Sequence, residues 1–143
     1  MRRALTVLVA AVLLLAAAAL SGCGHAEFES GSAPDLPRLV AEAGLVVLDE
    51  GSAENRYPGG TSGAWYIIGH EGSDEAEAVV SVLRFESRRD RDAAYRQVMH
   101  RMGRRLPHVI VYTAGDAVVQ VGRIGDFGTV QDLNEALLDA GAQ

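Results

Sequence analysis

Three sets of residues carry chemistry that could act on something outside the chain. Cys23 is the only thiol in 143 residues. A thiolate is a nucleophile and a soft metal ligand, but one cysteine alone makes neither an internal disulfide nor a multi-thiolate site. The four histidines are His25, His70, His100 and His108. His70 opens a loop with Glu71, Asp74, Glu75 and Glu77. One imidazole among carboxylates is a donor set for a divalent cation, yet the spacing follows no cation-binding loop and reads as a solvated acidic turn. His108 faces Asp116 across a predicted hairpin, a candidate polar pair with no serine aimed at it. The third set is basic. Residues 84–105 hold eight arginines (Arg84, Arg88, Arg89, Arg91, Arg96, Arg101, Arg104 and Arg105) against Glu86, Asp90 and Asp92, a net +5 within a chain of net −6.

Absent residue types exclude more. All 13 basic side chains are arginine, so no Schiff-base lysine, phosphate-loop lysine or lysine general base exists. Gly125-Asp126-Phe127-Gly128 carries the letters of the kinase metal-binding tripeptide, but the strand lysine that such a site needs is missing. Asp126 reads as a turn residue before the last helix. Neither a Gly-x-Ser-x-Gly elbow nor a His-Glu-x-x-His helix is found. The expectation is a protein without catalytic residues, metal or cofactor.

The N-terminus states an address. Met1-Arg2-Arg3 precedes an apolar run, Ala4 to Leu20, in which Thr6 alone is polar. Basic residues, an apolar segment and small residues before a cut point form a signal-peptide pattern. The rival reading, an uncleaved membrane anchor, also leaves the remainder outside the cytoplasm, since Arg2 and Arg3 hold the short N-terminus inside. Over these residues the chain resembles bacterial lipoproteins. Leu20-Ser21-Gly22-Cys23 fits all four positions of their lipobox. The resemblance implies diacylglyceryl transfer to the Cys23 sulfur, then cleavage between Gly22 and Cys23. Two acyl chains anchor stably where one is marginal. The mature chain would start at Cys23, contain no free thiol and carry a formal charge of −8.

Three regions follow: a signal peptide over 1–22, a lipidated tether over 23–34, and one domain over 35–143. The tether, Gly24 to Pro34, is short, polar and aperiodic. Within the domain, Asp35, Pro37 and Gly44 frame a helix over Leu36 to Ala43. Strands are expected over 45–48, 64–68, 78–86, 109–113 and 117–124, with a long loop over 49–63. Ser87-Arg88-Arg89-Asp90 reads as a capping box. The helix after it carries an apolar stripe of Ala94, Tyr95, Val98, Met99 and Met102. Thr129 is the expected N-cap of a last helix over 130–140. This is a β-β-α-β-β-α core. It implies an α+β fold, an antiparallel or mixed sheet of four to five strands with two or three helices mainly on one face. The other face would be open or partly covered by the first helix.

That frame positions two candidate sites. Arg89, Arg96, Arg104 and Arg105 would form an anion-binding surface along and beyond the basic helix, with Asp92 pairing to Arg96 at i, i+4. Phospholipid headgroups or an acidic protein are its candidate partners. Tyr57, Trp65 and Tyr66 border the glycine-rich loop and could line a small-ligand pocket. Nucleic acid is excluded by the acidic total and by export. The functional expectation is a non-catalytic, lipid-anchored binding or accessory protein on the extracytoplasmic side of the cell membrane, held there through Cys23 and serving an envelope protein partner. The alternatives are a small-ligand carrier or sensor, and a minor envelope hydrolase using His108, Asp116 or the His70 loop.

Overall fold

Strand β3, Ala78–Phe85, is central because both of its sides are apolar: Ala78, Val80 and Val82 on one, Leu83 and Phe85 on the other, all buried. A strand buried on both sides needs a layer over each. In the computed structural model, which describes residues 33–102 and 108–143, those layers are helices. Residues 1–32, which hold the expected signal peptide with Gly22 and Cys23 and most of the expected tether, lie outside the described residues, as do Arg104 and Arg105.

The fold is α+β. Strand β1 (Val46–Ser52) pairs with β2 (Gly60–Gly69), β2 with β3, β3 with β5 (Ala117–Arg123), and β5 with β4 (Val109–Ala114). The order is β1-β2-β3-β5-β4, and every neighbouring pair is antiparallel. Strands β3 and β4 therefore run parallel with β5 between them. Parallel strands cannot be joined by a tight turn, and helix α2 (Arg88–Met102) makes the crossover.

Helices α1 (Leu36–Glu42) and α3 (Phe127–Asp139) share the face of Val80, Val82, Val119 and Val121. Leu36, Leu39 and Val40 of α1 meet Val130, Leu133 and Leu137 of α3 in this larger core. Helix α2 covers the opposite face, placing Ala94 and Val98 on Leu83, Phe85, Val111 and Val118. The face expected to be open, or screened by α1 alone, is thus roofed by α1 and α3 together. Val80, Val82, Val119 and Val121 make it as apolar as the other, and only Arg84 and Glu86 turn it polar at one end.

Other boundaries move for local reasons. The expected 49–63 loop shrinks to 53–59, because Asp49 to Ser52 still pair with Ala64 to Ile67 at the sheet edge. Backbone bonds suffice there without apolar side chains. Leu48 is the extra residue of a bulge, since Val47 opposes Ile68 and Asp49 opposes Ile67. Helix α3 starts three residues earlier than expected. Its N-cap is Asp126, whose carboxylate accepts from Gly128 N (2.7 Å) and Thr129 N (3.3 Å), while Thr129 is buried inside the helix. Met99 leaves the expected core stripe and is 45% exposed. The stripe is centred on residues 91, 94 and 98, with Tyr95 and Met102 at its flank. Ala33, assigned to the tether, is buried against the larger core.

Tyr57-Pro58-Gly59-Gly60 is a tight turn closed by Gly60 N donating to Tyr57 O at 2.9 Å. Gly59 has φ +72° after a proline, the type II signature. A Cβ there would also strike the Asp90 carboxylate. Gly72 has a similar φ of +77° but open space around it. We expect Gly72→Ala to cost about 1 kcal/mol and Gly59→Ala about 2–3 kcal/mol in urea denaturation. Equal losses would mean that the Asp90 contact relaxes freely.

Burial pushes the Tyr112 phenol above its ordinary value of 10.0. The folded state therefore holds the proton more tightly than the unfolded one. This contribution is fully present below about pH 10 and is lost as pH rises through the raised folded value. Tyr112→Phe is expected to flatten the alkaline fall in stability, read as denaturation midpoints against pH. An unchanged slope would assign that fall to other groups.

Candidate functional site

The hairpin tip Gly115-Asp116 gathers three distant parts of the chain. Ala33 N donates to Asp116 Oδ1 at 2.6 Å, and Arg84 Nη1 from β3 donates to the same carboxylate at 3.0 and 3.3 Å. Phe85 N donates to Asp116 O at 2.9 Å. From the first turn of α2, Arg91 reaches the other residue of the turn, Nη1 donating to Gly115 O. Arg91 is only 7% exposed, the one buried arginine among the described residues. Its Nε and Nη2 also bind Asp92 Oδ1 at 2.8 and 2.6 Å. Gly115 has φ +54°, the turn conformation that a glycine meets without steric cost.

Helix α2 begins beside this tip because Ser87 caps it. Asp90 N donates to Ser87 Oγ at 3.1 Å, and Ser87 Oγ donates back to Asp90 Oδ2 at 2.8 Å. Both acids of the helix are consequently engaged, Asp90 with Ser87 and Asp92 with Arg91. The expected Asp92–Arg96 pair does not form. Adjacent Arg91 reaches the Asp92 carboxylate with two donors, where Arg96 lies a full turn away.

The outer face of α2 carries Arg89, Arg96 and His100, with Arg88 and Arg101 on its two flanks, all exposed. None of these arginines makes an ion pair with a described residue. Arg101 lies over the Tyr57 ring at 5.8 Å, a cation–π contact that leaves its charge uncompensated. Ala93 and Gln97 lie between the basic residues, and with Arg96, His100 and Arg101 they line a shallow depression of about 420 Å³. Of the four arginines expected here, Arg89 and Arg96 are on this face, and Arg104 and Arg105 are outside the described residues.

The aromatic trio does not converge. Neighbouring residues of a strand point to opposite sides. Tyr66 therefore joins the α1–α3 core, while Trp65 lies on the α2 side with its indole against Gly51. Tyr57 packs on Phe85, ring centroids 6.4 Å apart. Tyr66 lines a cavity. It is a cleft of about 360 Å³ with Leu36, Pro37, Ser62, Val82 and Arg84 on its walls.

His108 and Asp116 are at opposite ends of the β4–β5 hairpin, about 20 Å apart along the strand, so they form no pair. His108 Nδ1 instead accepts from Arg123 Nη2 at 3.1 Å. His70 turns away from the acidic loop toward buried Thr129 Oγ1, 3.0 Å from Nε2. Among the described residues no group of three or more His, Cys, Asp or Glu side chains is placed to hold a metal ion.

No family model, curated protein or solved structure matches this chain. The reading of its function therefore rests on its own residues.

Asp116 and Arg84 are largely shielded, their side chains 23% and 37% exposed, whereas the Arg56–Glu54 pair is 81% and 71% exposed. Asp116→Ala also strips the acceptor from the Ala33 N–H. It is expected to cost about 1–3 kcal/mol in urea denaturation, against about 0.5 kcal/mol or less for Glu54→Gln. Similar small losses from both would show that the tip is not a structural node.

Proposed function

We propose that this protein is a lipid-anchored, non-catalytic binding or accessory protein on the extracytoplasmic side of a bacterial membrane. Leu20-Ser21-Gly22-Cys23, after two arginines and an apolar run, supports the anchor. The observation that carries the role of the domain is the clasp at Gly115-Asp116. Ala33, where the tether enters the fold, and Arg91, in the first turn of α2, grip the same two-residue turn. The first turn of α2, with Arg88 and Arg89, is thereby held beside Ala33. The residues expected to do acid–base chemistry each have a partner within the fold, Asp116 with Ala33 and Arg84, His108 with Arg123 and His70 with Thr129, while His100 lies exposed among the arginines of α2. That supports binding over catalysis, with an envelope protein as the partner.

A second reading, a small-ligand carrier, draws on the cleft beside Tyr66 and Arg84. Its volume of about 360 Å³ lies at the low end of ligand sites. Arg84 Nη1 already serves Asp116, so the cleft offers a partly neutralised guanidinium rather than a free one.

Cys23→Ala tests the anchor. In a bacterial host fed a fatty-acid probe, the parent chain is expected to take up label and to shorten by the signal segment. The variant is expected to do neither and to accumulate as precursor. Unchanged labelling and migration would overturn the lipoprotein reading.

A further inference from the structure

We propose that the outer face of α2 docks on the anionic phospholipid headgroups of the membrane that holds the anchor, leaving α1 and α3 facing away from it. The proposal rests on the lipid-anchored reading above and adds an orientation and a ligand class. Arg88, Arg89, Arg96 and Arg101 stand exposed on one helix with no carboxylate partner among the described residues. Both acids of that helix are consumed internally. The opposite side of the domain has the opposite sign. Glu42, Asp132, Glu135 and Asp139 line the groove between α1 and α3, with Arg38 as its single cation. An anionic surface therefore attracts one face of the domain and repels the other.

The tether permits this contact. Residues 24–32, nine in all, separate Cys23 from Ala33 and span at most about 30 Å. Helix α2, with 15 residues, is about 22 Å long. Its first turn is joined to Ala33 through the hairpin tip, so the whole helix lies within reach of the bilayer that holds the lipid. The depression over Ala93 and Gln97 lets a phosphate approach between basic side chains, where bulkier residues would hold it off. Met99, 45% exposed beside them, adds an apolar contact at the headgroup boundary.

Lipidation consumes the only thiol, which makes the experiment clean. The full lipidated chain carrying Gln97→Cys is labelled with a thiol-reactive fluorophore and reconstituted into vesicles containing a headgroup-level lipid quencher. A second sample carries Gln131→Cys, exposed on α3. In phosphatidylglycerol vesicles the residue 97 label is expected to be quenched and the residue 131 label spared. Phosphatidylcholine vesicles, or about 0.5 M salt, should relieve the quenching. The triple variant Arg89→Gln, Arg96→Gln, Arg101→Gln should lower the docked-to-undocked ratio about 100-fold. An unquenched label at 97 in anionic vesicles, equal quenching at 97 and 131, or equal quenching on neutral lipid overturns the docking proposal; the first result would point instead to an acidic protein as the ligand of this face. Label uptake by the parent chain has a separate meaning. It exposes a free Cys23 thiol and overturns the anchor, and the orientation with it.

Discussion

The Asp116 carboxylate sets a condition that much of the domain has to satisfy. It sits three-quarters shielded at a turn, where an unmatched negative charge would be costly. Two donors from remote parts of the chain meet it, a backbone N–H from the entry segment and a guanidinium from the central strand. The adjacent Gly115 carbonyl makes the same demand on α2 and is met by Arg91. One two-residue turn therefore aligns the start of the fold, the middle of the sheet and the crossover helix. Remove the turn chemistry and the three could still pack by hydrophobic contact, but without a defined relation at this end of the sheet.

Much of the architecture is legible in the sequence because alternation and helical spacing report directly on burial. The strand over 78–86, which ends one residue sooner at Phe85, and the β-β-α-β-β-α order both survive in the structure. The face assignment is harder to read. Val80 and Val82 look like the lesser side when Arg84 and Glu86 follow them, and only the roof of α1 and α3 shows that they form the larger core. Edge pairing is also hidden. Asp49-Glu50-Gly51-Ser52 reads as loop by composition, yet an edge strand needs only a neighbour with free backbone groups.

The candidate site is legible as charge and not as geometry. Eight arginines in 22 residues are visible at once, but which of them are paired depends on rotation about the helix axis. Arg91 falls on the buried stripe with Ala94 and Val98, a spacing present in the sequence and easily passed over because the residue is charged. Its burial removes Asp92 from the reach of Arg96 and leaves the outer arginines uncompensated. The aromatic trio shows the converse. Trp65 and Tyr66 are neighbours in sequence, which in a strand guarantees separation to opposite sides.

The strand order has a consequence for how the chain acquires its shape. Three of the four ladders join strands consecutive in sequence, so each can zip from a nearby turn. The seam between β3 and β5 is the exception: it brings Arg84 against Ala117 across the whole of α2 and the segment after it. The loop-closure entropy of the sheet is thus concentrated in one event, the merging of a three-stranded meander with a two-stranded hairpin. Arg84 with Asp116, and Arg91 with Gly115, sit at the mouth of that loop. They latch shut the single step in which local order becomes a domain.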